Sequence, residues 1–123
     1  MSTSVLIGIP DLLFSSKVNA VARQQGIPVV ATFTKHDLLS KAHGETPSIL
    51  ILDLNADALA PLESVTAMKS DPHTRGIAVV GFQTRIDEAL RTSAEEAGCD
   101  LVLSRSQFIE ALPDILRGKL FKH

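Results

Sequence analysis

The sequence predicts a doubly wound α/β domain, in which helices cover both faces of one five-stranded parallel sheet. Five short apolar runs recur along the chain, and each is followed by a segment of helical periodicity. The runs are continuous rather than alternating, which is how strands read when both sheet faces are buried. Such alternation of strand and helix implies right-handed crossovers and a parallel sheet. A length of 123 residues suits one domain, expected over 1–118, with 119–123 as a C-terminal tail.

The strands are expected at Val5 to Ile9, Ile27 to Phe33, Ile49 to Leu52, Ile77 to Phe82 and Leu101 to Leu103. The third run is the richest in Leu and Ile and is expected at the centre. Phe14, Val18 and Val21 fall at i, i+4, i+7, the core stripe of a first helix that ends before Gly26. Thr34 is suited to cap a second helix carrying Leu38, Leu39 and Ala42, closed by Gly44. Pro61 fits the first turn of a third, with Leu62, Val65 and Met68 inward and Asp71-Pro72 as its stop. A fourth, near 86–97, buries Ala89, Leu90, Ala94 and Ala97 before Gly98. The fifth carries Phe108, Leu112, Ile115 and Leu116, with Ser106 as its cap and a kink or break at Pro113.

Composition narrows the function. The chain is 45% hydrophobic and 21% charged, the balance of a globular domain rather than a disordered one. A net charge of −2, no Trp, no Tyr and five Phe argue against a nucleic-acid partner, which needs basic patches and stacking platforms. No apolar stretch nears the roughly 20 residues of a membrane span, and Met1-Ser2-Thr3-Ser4 lacks a signal-peptide pattern, so no membrane partner and a cytoplasmic location are expected. Cys99 is the only cysteine and reads as a small buried hydrophobe. His36, His43, His73 and His123 show no zinc spacing, and no glycine-rich phosphate loop follows a strand.

Ser48-Ile49-Leu50-Ile51-Leu52-Asp53-Leu54-Asn55 resembles the third strand of response-regulator receiver domains, the CheY-like family. In that family the strand ends on the aspartate that accepts a phosphoryl group. Lys69-Ser70-Asp71-Pro72 with Ile77-Ala78-Val79-Val80 is similar to its third helix, loop and fourth strand. Glu96-Ala97-Gly98-Cys99-Asp100-Leu101-Val102-Leu103 is similar to its approach to strand five. The resemblance spans nearly the whole chain. It implies a flavodoxin-like sheet of order 2-1-3-4-5, an order receivers themselves exemplify, with the reaction site at the carboxyl ends of strands one and three.

The resemblance makes Asp53 the candidate phospho-acceptor. A carboxylate attacking a phosphoryl donor is an anion attacking an anion, so charge must be neutralised by a divalent cation and a basic side chain. Asp53, the Asn55 carbonyl and Asp11 match the family's Mg²⁺ ligands, Asp11 only by proximity. Where the acidic pair is expected stand Ile9 and Pro10, so weak Mg²⁺ binding is expected. Gln83, with Thr84 beside it, stands at the strand-four switch hydroxyl. Arg105, in Ser104-Arg105-Ser106-Gln107, stands at the conserved lysine, and Val102 where the family carries an aromatic switch residue.

Each residue also has a plainer role. Asp53 can cap the following loop, Asp11 can cap the first helix, and Asn55 is a turn residue. Gln83 and Thr84 read as loop and cap residues. Arg105 can be an ion-pair partner of Asp53 or of Asp11, replacing a metal by a fixed charge. The implied function is a stand-alone receiver or pseudo-receiver of a two-component or phosphorelay system. Its expected partners are a histidine kinase, a phosphotransfer protein or another signalling protein, with a homodimer through helix four, strand five and helix five also open. It is not expected to be an enzyme beyond self-phosphorylation and dephosphorylation at Asp53. A fully functional regulator and a flavodoxin-like small-ligand domain are the alternatives.

Overall fold

The structure, a computed structural model, describes residues 4–85 and 87–119. The strands are β1 (Val5–Gly8), β2 (Val29–Ala31), β3 (Ile49–Asp53), β4 (Ala78–Gln83) and β5 (Leu101–Ser104). Between them run α1 (Leu12–Gln24), α2 (Lys35–Glu45), α3 (Pro61–Ser70), α4 (Glu88–Ala97) and α5 (Arg105–Leu116). All pairings are parallel and the order is β2-β1-β3-β4-β5, with β3 central as the Leu/Ile-rich run implied.

The pleat sends alternate residues to opposite faces, and both faces are covered. Leu6, Leu50, Leu52, Val79 and Val102 pack with Leu38, Val65, Met68 and Ala94 under α2, α3 and α4. Val5, Ile7, Ile51, Val80 and Phe82 pack with Phe14, Val18, Phe108 and Ile115 under α1 and α5. Cys99 is buried, as expected, and burial pushes its thiol up to about 12. Thr34 caps α2, Pro61 opens α3 and Asp71 closes it. Among the described residues no helix is long and apolar enough to cross a membrane.

Several local expectations change. The fifth helix is capped by Ser104, not Ser106, because α5 starts directly from β5 with no intervening loop. Ser104 Oγ accepts from the Gln107 N–H at 3.2 Å and Gln107 Oε1 accepts from the Ser104 N–H at 3.0 Å, a reciprocal box. α5 continues undivided through Pro113. The missing N–H costs one bond near the helix end, and Leu112, Ile115 and Leu116 on either side are held in the core. Gly44 lies inside α2, whose end is set by Thr46 at φ 43°. Ala89 is exposed, because α4 begins only at Glu88 and its inward stripe is Leu90, Ala94 and Ala97. In α1 the stripe runs Phe14, Val18, Ala22, with Val21 only half-buried. β2 is shorter than its apolar run, since Pro28 has no N–H to give and Phe33 is exposed beyond the last pairing. Residues 120–123 of the expected tail, His123 included, lie outside the described residues.

Candidate functional site

The carboxyl ends of β1 and β3 form the crevice at which the order of the sheet reverses. Asp53 is the last residue of β3, in register with Phe82 on β4. Its Oδ1 accepts from the Asn55 N–H at 2.9 Å, and its carbonyl accepts from the Ala56 N–H at 3.2 Å. The side chain therefore both caps the turn and stays half-buried at the crevice. Asn55 reaches across: its Oδ1 accepts from the Thr84 N–H at 2.8 Å, tying the loop after β3 to the loop after β4.

Asp11 is the N-cap of α1. Its Oδ1 accepts from the N–H groups of Leu13 and Phe14 at 3.0 and 3.2 Å. Its Oδ2 meets Arg105 Nη2 at 3.3 Å, so Arg105 pairs with Asp11 and not with Asp53. The same guanidinium lies over the Phe14 ring, 4.1 Å from the centroid. Phe14 belongs to an aromatic cluster with Phe82 and Phe108, at centroid distances of 4.9 and 5.7 Å.

Gln83 ends β4 and is 4% exposed. Its Oε1 accepts from the Asp87 N–H at 3.2 Å, which joins it to the start of α4. Thr84 is exposed, and its backbone makes the link to Asn55. Ile9, where the family carries an acid, is 2% exposed and packed in the core, and Pro10 is exposed. Val102 is buried in the core on the α2–α4 side.

Burial is the largest influence on Asp53 and raises its carboxyl above the ordinary aspartate range. The Asn55 N–H and the charge of Arg105 oppose that rise, and the charge of Asp11 adds to it. Asp11 goes the other way, lowered first by the Phe14 N–H and helped by Arg105 and the Leu13 N–H, against a contribution from burial. The two carboxyls are thus pushed apart by their surroundings.

This asymmetry sets a pH-dependent stability. Below the ordinary aspartate value Asp53 is protonated in both folded and unfolded chains and costs nothing. As pH rises through its raised folded value, the half-buried charge is carried only at a cost to the fold. Asp53→Asn keeps the acceptor for the Asn55 N–H and removes that cost. The variant should be more stable than wild type at pH 7 by about 0.5 kcal/mol, a size already discounted for solvent screening of a half-exposed group. That is roughly 2 °C in melting temperature. The advantage should vanish toward pH 3. Equal or lower stability of the variant at pH 7, in melts across this range, would contradict it.

A tightly held Mg²⁺ does not fit these donors. The ion needs oxygen ligands in near-octahedral geometry, with carboxylates to offset its charge. Both Asp11 oxygens are engaged, one by the helix start and one by a guanidinium. Ile9 offers no oxygen from its side chain, which leaves Asp53 and the Asn55 carbonyl. Among the described residues no cluster of three or more His, Cys, Asp or Glu forms a metal site.

Three contacts escaped sequence reasoning: Asn55 to Thr84, Arg105 over Phe14, and His43 stacked on His73 with centroids 4.5 Å apart. An Asn just past a strand was a usable signal for the first. All three join residues far apart in the chain, and for the other two no local pattern announces the contact.

No protein-family profile matches the chain, and no curated protein does. Solved structures do. The chemotaxis response regulator CheY4 of Vibrio cholerae is 18% identical with a TM-score of 0.83, covering 98% of this chain and 100% of that one. A response regulator from Hahella chejuensis is 15% identical at 0.86, covering 97% and 96%. A signal receiver domain from Bermanella marisrubri is 19% identical at 0.83, covering 98% and 100%. At these identities the likeness speaks for architecture. With its strand order, its five covering helices and an aspartate closing the central strand, the chain has the flavodoxin-like fold of CheY-like response-regulator receiver domains.

Proposed function

We propose that this chain is a receiver-like signalling domain of a two-component or phosphorelay system, acting through protein–protein contacts, with an impaired Mg²⁺ and phosphorylation pocket. The observation that carries the reading is the engagement of Asp11 by Arg105 beside Asp53. Phosphoryl transfer to Asp53 would form a bond from its carboxylate oxygen to phosphorus while the donor's bond to phosphorus breaks. That step brings two anions together, and a single fixed guanidinium offsets them less well than a dication with a free carboxylate pair. Histidine kinases, phosphotransfer proteins or other signalling proteins are the partners, in the cytoplasm. The face of α4, β5 and α5 is the candidate contact and homodimer surface. Any catalysis is limited to self-phosphorylation and dephosphorylation at Asp53.

The missing switch elements support the same reading. Gln83 is pinned to the Asp87 N–H, and Val102 is a small buried side chain where the family has an aromatic rotor. Gln83 lacks the hydroxyl and Val102 the ring through which receivers couple the acceptor to that face, and without differential contacts no population shifts. Beryllofluoride with MgCl₂ should therefore leave amide shifts over residues 88–102 and 109–116 unchanged, with any changes confined to the neighbourhood of residues 11, 53, 84 and 105. Large, saturable shifts over 88–102 and 109–116 that disappear in Asp53→Ala would overturn the proposal.

One observation favours the working regulator as a second reading. Asp53 is in no ion pair among the described residues, so its carboxylate is available as an acceptor. The beryllofluoride experiment decides between the two. A small-ligand domain gains nothing from the structure: a groove of about 660 Å³ lies at the opposite end of the sheet, lined by Ile27, Ser48, Ile49 and Ala78.

A further inference from the structure

We infer that Arg105 is a built-in competitor for a divalent cation, and that removing its guanidinium turns Asp11 and Asp53 into a metal-binding pair. The inference rests on the impaired-pocket reading above and deepens it by naming the residue that keeps the pocket closed to metal.

Arg105 is held where helix electrostatics alone would not put it. It is the first residue of α5, whose first turn carries no acid, so its charge sits at the positive end of the helix dipole. Two contacts hold it there: the Asp11 carboxylate at 3.3 Å and the Phe14 ring at 4.1 Å. Both contacts are preorganised. Asp11 is fixed by the two N–H groups of the α1 start, and Phe14 by its packing on Phe82 and Phe108. The Ser104–Gln107 box fixes the point from which the arginine stem leaves the backbone. A cation approaching Asp11 Oδ2 must displace a guanidinium that is already in place.

Charge decides the consequence. Asp11, Asp53 and Arg105 sum to −1, and the charges of Asp11 and Arg105 both act on Asp53. Without Arg105 the site carries −2 and Asp11 Oδ2 loses its cation, while the Asn55 N–H still holds Asp53 Oδ1 in the turn. Hard divalent cations take such oxygen sets, completing their shell with water. The planar guanidinium also stacks on the Phe14 ring, a second contact that a cation displacing it must break.

The test is a titration of the labelled full chain with MgCl₂, read by amide shifts, with MnCl₂ as a paramagnetic probe of location. Arg105→Ala should bind Mg²⁺ at least about tenfold more tightly than wild type, equivalent to about 1.4 kcal/mol. Mn²⁺ should broaden amides near residues 11, 53 and 55 in the variant. The gain should disappear in Arg105→Ala combined with Asp53→Ala. Arg105→Gln, which keeps much of the stem over Phe14, serves as the deciding variant if the alanine chain does not fold. A gain below about fivefold in a folded variant, or a gain that survives Asp53→Ala, overturns the inference. The functional reading fails separately: it falls if wild type itself binds Mg²⁺ at or below cellular concentrations through Asp53.

Discussion

Phe82→Ala is expected to destabilise the chain by about 3–5 kcal/mol, the cost of deleting a buried aromatic ring and leaving a cavity. Phe82 is 1% exposed and lies between two other rings, Phe14 at 4.9 Å and Phe108 at 5.0 Å. Each such pair adds roughly 0.5–1.5 kcal/mol beyond the area buried. A domain of this size holds only about 5–15 kcal/mol in total, so the variant should be marginal. The loss also has a functional side, because Phe82 supports the ring on which Arg105 rests. Urea unfolding should show a lower midpoint at an unchanged slope, whereas Phe82→Leu should cost less than about 1.5 kcal/mol. A loss under about 1.5 kcal/mol for the alanine variant would mean that the ring does not fill the core as described.

Gly98→Ala should cost about 2–4 kcal/mol despite adding a single carbon. Gly98 has φ 124°, a region L-residues rarely enter, which accounts for about 1–3 kcal/mol. A Cβ there would also lie 2.5 Å from Lys69 Cγ. Lys69 cannot simply yield, because its ammonium donates to the carbonyls of Arg75 and Ile77 at 3.2 and 3.0 Å and pairs with Asp100 at 3.2 Å. Asp100 in turn accepts from the Val79 N–H at 2.8 Å, so the cluster ties α3 and the approach to β5 to the start of β4. Displacing it gives up hydrogen bonds worth about 0.5–1.5 kcal/mol each. A double-mutant cycle separates the two effects. On a Lys69→Ala background Gly98→Ala should cost about 1 kcal/mol less, since only the backbone strain is left. An identical cost on both backgrounds would remove the Lys69 part of the explanation.

How far these features could be read in advance depends on their range along the chain. Thr34 before a periodic segment, Pro61 at a helix start and Gly98 at a helix end are local chemistry, and each acts where the sequence implied. Asp53 at the end of the richest apolar run is legible for the same reason, since strand and turn are written in adjacent residues. Boundaries depend on more than local chemistry: Ser104 rather than Ser106 caps α5, and Thr46 rather than Gly44 ends α2. There one or two residues decide the outcome, and packing of the whole helix selects among them.

The sequence by itself determined the architecture, because continuous apolar strands and amphipathic helices of these lengths bury their faces well in one doubly wound sheet. It also determined that Ile9 and Pro10, just past the first strand, bring no carboxylate to the crevice wherever they fold. Only the tertiary structure decided that Arg105 pairs with Asp11 rather than with Asp53, across 94 residues of chain. That choice depends on α1 and α5 lying side by side on one sheet face and on a ring cluster that seats the guanidinium. Such contacts are products of register and packing, and no window of neighbouring residues contains them.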